Sequence, residues 1–72
     1  MNEAETLIER LVEGQKTRLL QLARRIVPSV AMDDLWQPND FPELENHPEF
    51  RYEEGILHGM LATVAALRAE IR

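Results

Sequence analysis

Residues 33 to 55 have the sequence DDLWQPNDFPELENHPEFRYEEG, and this stretch decides how the chain is organised. It holds the single tryptophan, both phenylalanines, the single tyrosine and three of the four prolines. The sequence on either side has the periodicity of amphipathic helices. Two helices joined by a connector fold back on each other as a hairpin. The sequence therefore predicts an all-α protein, an antiparallel helical hairpin with a structured proline-rich connector.

The length of 72 residues limits the chain to a single helical-hairpin domain with a thin core. A chain of this size buries about 60% of the surface that its unfolded form exposes. Small domains compensate with disulfides, a structural metal or association with another chain. Because the sequence contains no cysteine, disulfides and thiolate zinc sites are excluded. Association is the compensation that we expect.

The charge balance is acidic, with a formal net charge of −5 and a pI near 4.9. Nucleic-acid-binding domains carry a concentrated basic surface, so this balance argues against a nucleic-acid partner. One alternative stays open, an RNA-binding helical-hairpin dimer that uses Lys16, Arg18, Arg24 and Arg25.

The amino-terminal residues carry glutamates and lack the basic and apolar segments of a secretory signal. The longest stretch without Asp, Glu, Lys, Arg or His, residues 59 to 67, is far shorter than the ~20 residues of a membrane span. We therefore expect a soluble, cytoplasmic protein with no membrane partner.

A first helix is predicted over about residues 3 to 27. Asn2 and Glu5 fit a capping box at its start, and Pro28 ends it because proline cannot donate to the helical ladder. Acidic residues fill its first half and basic residues its second half, which complements the helix dipole. The apolar residues that gather on one face are Ala4, Ile8, Leu11, Val12, Leu19, Leu22, Ala23 and Ile26. This single stripe predicts a single packing partner.

Gly14 and Gln15 interrupt the pattern of the first helix. A glycine costs about 1 kcal/mol relative to alanine in a helix interior, and Gln15 falls on the apolar stripe. One interpretation is that the glutamine fixes the register between helices and that the glycine allows a close approach. The simpler interpretation, which we favour, is a tolerated glycine and a partly exposed glutamine.

The connector covers about residues 28 to 46, and residues 29 to 36 fit a short helical turn. Asp40 and Asn46 each precede a glutamate by three positions, with a proline between. The first is predicted to start one short turn and the second to start the long helix. A connector of this length folds down onto the helices, so we expect its aromatic side chains to plug one end of the helix interface.

The alternative for the connector is a recognition surface, because loops carry function and aromatic residues are favoured anchors in interfaces. Such a surface would bind an unidentified protein partner. The candidate partner-binding residues are Trp36, Asp40, Phe41, Glu43 and Tyr52.

A second helix is predicted over about residues 47 to 71, and it has two faces. The bulky face follows the spacing of a helix-bundle seam, interrupted by Glu53, and consists of Phe50, Leu57, Met60, Val64, Leu67 and Ile71. The opposite face carries small residues, which permit close helix approach, namely Gly55, Gly59, Ala62, Ala66 and Ala69.

Two faces on the second helix require two neighbours, whereas a hairpin supplies one. We expect the bulky face to form the core within the chain and the small face to form a subunit interface. Two hairpins related by a two-fold axis would then pair into a dimeric four-helix bundle with the second helix at its centre. The sequence thus predicts a homodimer.

Catalytic or metal chemistry has weak support in the sequence. Glu53, Glu54 and His58 are spaced so that carboxylates and an imidazole share one part of the helix, and a two-fold axis would double them into a metal site. No nucleophile motif and no phosphate-binding loop occurs, so we predict no cofactor and no enzyme activity. The hypothesis that we favour is a homodimeric protein–protein interaction or regulatory module, and the alternative is a small metal-binding protein or enzyme with a site built across the dimer.

Overall fold

The computed structural model describes residues 3 to 70, and every regular element in that range is helical. Helix α1 (Glu3–Ile26) is followed by two 3₁₀ turns, the first at Met32–Trp36 and the second at Pro38–Asp40. The short helix α2 (Pro42–Glu45) then leads into the long helix α3 (Pro48–Glu70). Helices α1 and α3 pack against each other in a rod with principal extents of 40 × 18 × 16 Å. The predicted hairpin is confirmed.

Two contacts show that α1 and α3 are antiparallel. Arg68, near the end of α3, pairs with Glu5 near the start of α1. Gln15, in the middle of α1, donates to Glu53 in the first half of α3. Within residues 3 to 70, neither long helix combines the length and the hydropathy that crossing a lipid bilayer would require.

Helix α1 buries most of the predicted stripe. Val12, Leu19, Leu22 and Ala23 belong to the core, and Ile8 and Ile26 pack partly against it. Leu11 departs from the prediction, because 51% of its surface is exposed. It lies at the edge of a stripe that is wider than the contact with a single neighbouring helix. Ala4 is also exposed, and Asn2, the predicted cap, lies outside the described residues.

Gln15 also departs from our favoured interpretation, since it is buried, with 8% of its surface exposed. Its side-chain amide donates to the main-chain oxygen and to the carboxylate of Glu53, each at 2.9 Å. The two residues that break the apolar seams of the helices therefore meet each other. At Gly14 an added Cβ would meet nothing within 4 Å, so the chain itself makes no close approach there.

The connector plugs the helix interface with aliphatic rather than aromatic side chains. Val30, Leu35 and Leu44 are almost completely buried, whereas Phe41 is half-buried. Trp36 is 45% exposed, so the prediction of an aromatic plug is wrong for this residue. Tyr52, which lies on α3 outside the connector, is 69% exposed. Leucine and valine fill the space between three converging helical segments without a polar ring atom that needs a partner.

The starts of α2 and α3 differ from the predicted caps by one residue. Phe41 rather than Asp40 occupies the cap position of α2, and no side chain caps that end. At α3, His47 takes the role that was predicted for Asn46, because the main-chain N–H of Phe50 donates to His47 Nδ1 at 3.3 Å. The Asn46 amide instead donates to the oxygen of Pro42 at 3.0 Å, which ties α2 to the start of α3.

The bulky face of α3 forms the core within the chain, as expected. Phe50, Leu57 and Val64 are buried against α1 and the connector, and Met60 packs partly against them. Leu67 is half-buried, and Ile71, the last predicted seam residue, lies outside the described residues.

Candidate functional site

The side of α3 opposite to its bulky, buried face carries no charged side chain, and we call it the outer face. Apart from Ile56, which is half-buried, its residues are exposed. It consists of Tyr52, Gly55, Ile56, Gly59, Ala62, Thr63 and Ala66. All five residues of the predicted interface, Gly55, Gly59, Ala62, Ala66 and Ala69, are exposed. This run is unusual for a surface helix, whose solvent side ordinarily carries charged residues.

The two glycines of the outer face are not required by the fold of one chain. A Cβ added at Gly55 or at Gly59 would meet nothing within 4 Å, and both residues lie inside the regular helix α3. Each glycine nevertheless costs the helix about 1 kcal/mol relative to alanine. Packing within the chain therefore does not account for glycine at either position.

The predicted partner-binding residues belong to the connector, except for Tyr52. Trp36 lies on the first 3₁₀ turn, which packs against α1 and the second 3₁₀ turn, with the Nζ atom of Lys16 5.9 Å from the centre of its ring. Asp40, Phe41 and Glu43 lie where the second turn meets α2. Tyr52 belongs to the outer face of α3. The four connector residues therefore lie on consecutive elements that contact one another, whereas Tyr52 lies on the long helix.

The connector carries the acidic charge of the molecule. Residues 28 to 46 contain five carboxylates and neither lysine nor arginine, which equals the formal net charge of −5 of the whole chain. One of these groups has a local role, since the Asp34 carboxylate accepts from the main-chain N–H of Ala31 at 2.8 Å. The connector end of the rod is therefore acidic, and the rest of the chain is close to neutral.

The candidate metal ligands point to different surroundings. Glu53 is buried and binds Gln15, with Arg18 Nε 3.1 Å from its carboxylate. Glu54 is buried and pairs with Arg51 at 3.2 Å, whereas His58 is exposed. Among residues 3 to 70, no group of three or more His, Asp or Glu side chains is arranged to hold a metal ion. A site doubled across a dimer stays a prediction.

The cations of the RNA-binding alternative have contacts of their own. Lys16 bonds to Glu13 at 3.4 Å, and Arg18 pairs with Glu53. Arg24 Nε donates to the main-chain oxygen of Val30 at 3.0 Å, which ties α1 to the connector. Three of the four proposed phosphate-binding groups thus have structural partners within the chain.

An open groove of about 300 Å³ between α1 and α3 was not predicted. Its floor is apolar and its rim carries paired charges, and it is lined by Glu9, Val12, Glu13, Lys16, Leu61, Val64 and Arg68. Arg68 bonds to Glu9 and pairs with Glu5 at 3.4 Å. The hydrogen bond with Glu9 raises the pKa of Arg68 above its ordinary value. The contacts of Arg68 with Glu5 and Glu9 therefore link the end of α3 to the start of α1, and the charges on the rim compensate one another.

Geometry thus offers surfaces for contact with other molecules. The outer face is uncharged and rich in small residues, and the connector is acidic. In comparisons with protein families, with curated proteins and with solved structures, the chain matches none.

Proposed function

We propose that this chain is a protein–protein interaction module that acts as a homodimer, paired through the outer face of α3. The observation that carries the proposal is the pair of exposed glycines at Gly55 and Gly59. Each costs helix stability in the single chain and fills no tight space there. A second helix packed on this face would use the missing side chains, because small residues let two helix backbones approach closely.

The shape of the chain supports association. A globular monomer of 8.3 kDa exposes about 4,600 Å² of surface by the usual scaling. This chain exposes 4936 Å², because a two-helix rod buries each long helix on one side only. Pairing two outer faces would bury uncharged surface at little desolvation cost and would place α3 at the centre of a four-helix bundle.

The acidic connector supplies the second half of the proposal. In a dimer paired through α3, the connector residues Trp36, Asp40, Phe41 and Glu43 stay on the surface, and they offer exposed aromatic area next to carboxylates. Exposed aromatic residues are the commonest anchors of protein interfaces. A protein partner with a basic surface would complement this end of the rod.

The test is the solution mass measured by light scattering over a concentration series, with Gly59→Leu beside the wild type. In one chain the introduced leucine side chain would enter open space, so the fold should persist, and circular dichroism checks this. We expect a wild-type dimer and a monomeric Gly59→Leu variant. Gln21→Leu, which adds a leucine on the exposed side of α1, is the matched control and should stay dimeric. A wild type that is monomeric throughout the series contradicts the proposal.

A further inference from the structure

The two ends of the outer face carry opposite charges. Arg51 precedes Tyr52 at the start of the face and is exposed, although it also contacts Glu54 of its own helix. Glu70 is exposed at the last described residue of α3. Between them, from residue 52 to residue 66, the outer face has no charged side chain. The two ends of the outer face therefore differ in charge, and electrostatic interactions can distinguish one end from the other.

The direction of a second α3 on this face decides which charges meet. In a parallel pair, Arg51 would face Arg51 of the second copy and Glu70 would face Glu70, and the helix dipoles would lie side by side in the same direction. Like charges at this range repel, and aligned dipoles repel as well. In an antiparallel pair, Arg51 meets Glu70 of the second copy at both ends, and the dipoles oppose each other.

We infer that two copies pair antiparallel through their outer faces, with the two-fold axis near residues 60 and 61; this inference rests on the proposed homodimer. In that register Gly59 lies opposite Ala62 of the second copy, and Gly55 lies opposite Ala66. Tyr52, the largest residue of the face, lies opposite Ala69. The bulkiest uncharged side chain of the face is thus matched with a small residue.

Antiparallel pairing also places the two connectors at opposite ends of the dimer. Each connector precedes the start of its own α3, and these starts point in opposite directions. The dimer would therefore present two equal acidic ends, far apart, and would bind two partner molecules independently. A parallel dimer would instead bring both connectors together into one composite surface.

The experiment uses disulfide formation, for which the chain is suited because it has no cysteine of its own. Tyr52→Cys and Ala69→Cys replace exposed residues and leave Arg51 and Glu70 in place. Two cysteines can form a disulfide only when their Cα atoms lie within about 7 Å and their Cβ atoms point towards each other. In the antiparallel pair, residue 52 lies next to residue 69 of the second copy, whereas two residues 52 are about 25 Å apart at 1.5 Å per residue.

We expect covalent dimers when the two variants are mixed and oxidised, and none from either variant alone. The collision control is Gln21→Cys mixed with Ala69→Cys, which should not link. Covalent dimers from each variant alone would establish parallel pairing and overturn this inference while the proposed homodimer stands. A dimeric wild type without any of these links places the interface elsewhere and also overturns it. A monomeric wild type by light scattering removes the proposed homodimer itself.

Discussion

The contact between Gln15 and Glu53 allows a sharp test of how the hairpin is held in register. The Gln15 amide donates to the main-chain oxygen and to the carboxylate of Glu53, both at 2.9 Å, in a part of the interface from which water is largely excluded. Arg18 is the other partner of that carboxylate, at 3.1 Å. Replacing Gln15 with leucine keeps the volume and removes both donors. The buried carboxylate then loses a partner that water does not replace.

The expected cost follows from the two bonds. A hydrogen bond to a neutral acceptor contributes about 1 kcal/mol, and one to a charged acceptor contributes about 1.5–3 kcal/mol. Gln15→Leu should therefore lower the free energy of unfolding by about 2–4 kcal/mol. For a domain of this size, each kcal/mol lowers the Tm by about 4–8 °C. Glu53→Leu should also destabilise, since it leaves the amide of Gln15 without its carboxylate partner.

The double variant, Gln15→Leu with Glu53→Leu, tests whether the two residues stabilise the hairpin through their contact with each other. With leucine at both positions no polar group is left unsatisfied in the interface, and apolar replacement of a buried polar pair is often neutral. We expect the double variant to recover most of the lost stability, with a coupling energy of at least about 1 kcal/mol. The assay is urea unfolding followed by circular dichroism at one fixed protein concentration, since association would shift the midpoint.

Two results would refute this reasoning. One is additive behaviour of the two single variants, and the other is a cost of Gln15→Leu below about 0.5 kcal/mol, the level of ordinary surface substitutions. Gln21→Leu is the control, because Gln21 is an exposed glutamine of the same helix.

Two further predictions concern the core and the connector. Leu57→Ala should lower the free energy of unfolding by about 2–5 kcal/mol in urea, because Leu57 is fully buried. Leu7→Ala, at an exposed position of α1, should lower it by less than about 1 kcal/mol. Equal losses would contradict the packing described for α1 and α3. Asp34→Ala should lower stability by about 1 kcal/mol in thermal unfolding, because its carboxylate accepts from the N–H of Ala31, and the neighbouring Asp33→Ala should be nearly neutral; a larger loss at Asp33 would show that this capping interaction is not what holds the first 3₁₀ turn.

Periodicity was sufficient to predict the two long helices and their packing. The bulky seam of α3 and the stripe of α1 each need one apolar neighbour, and an antiparallel hairpin supplies it for both. Proline positions placed the helix boundaries to within one or two residues, because proline cannot donate inside a helix. The caps were harder to predict, because the Asn46 side chain bonds back to the oxygen of Pro42 in α2 and His47 accepts from the N–H of Phe50 in α3.

The connection between Gln15 and Glu53 could not be derived from either helix alone. Each residue breaks an apolar pattern, but their meeting depends on the register, and the register depends on the folded length of the connector. The exposure of Trp36 was missed for a related reason. The scarcity of aromatic residues suggests that most of them are buried, yet it is Leu35 that reaches the core from the same turn. The outer face of α3 was visible in the sequence, because small residues recur there with helical spacing.

The position of Trp36 makes its fluorescence a probe of the connector surface. Trp36 is the single tryptophan, it belongs to the acidic connector, and its indole ring lies half in solvent beside the ammonium group of Lys16. Because water already surrounds much of the ring in the native state, its emission maximum should lie at long wavelength and should shift little when the chain unfolds. A molecule that covered the connector would remove that water and shift the emission to shorter wavelength. The emission maximum of Trp36 should therefore change little when the chain unfolds, and it should shift when a molecule binds to the connector surface.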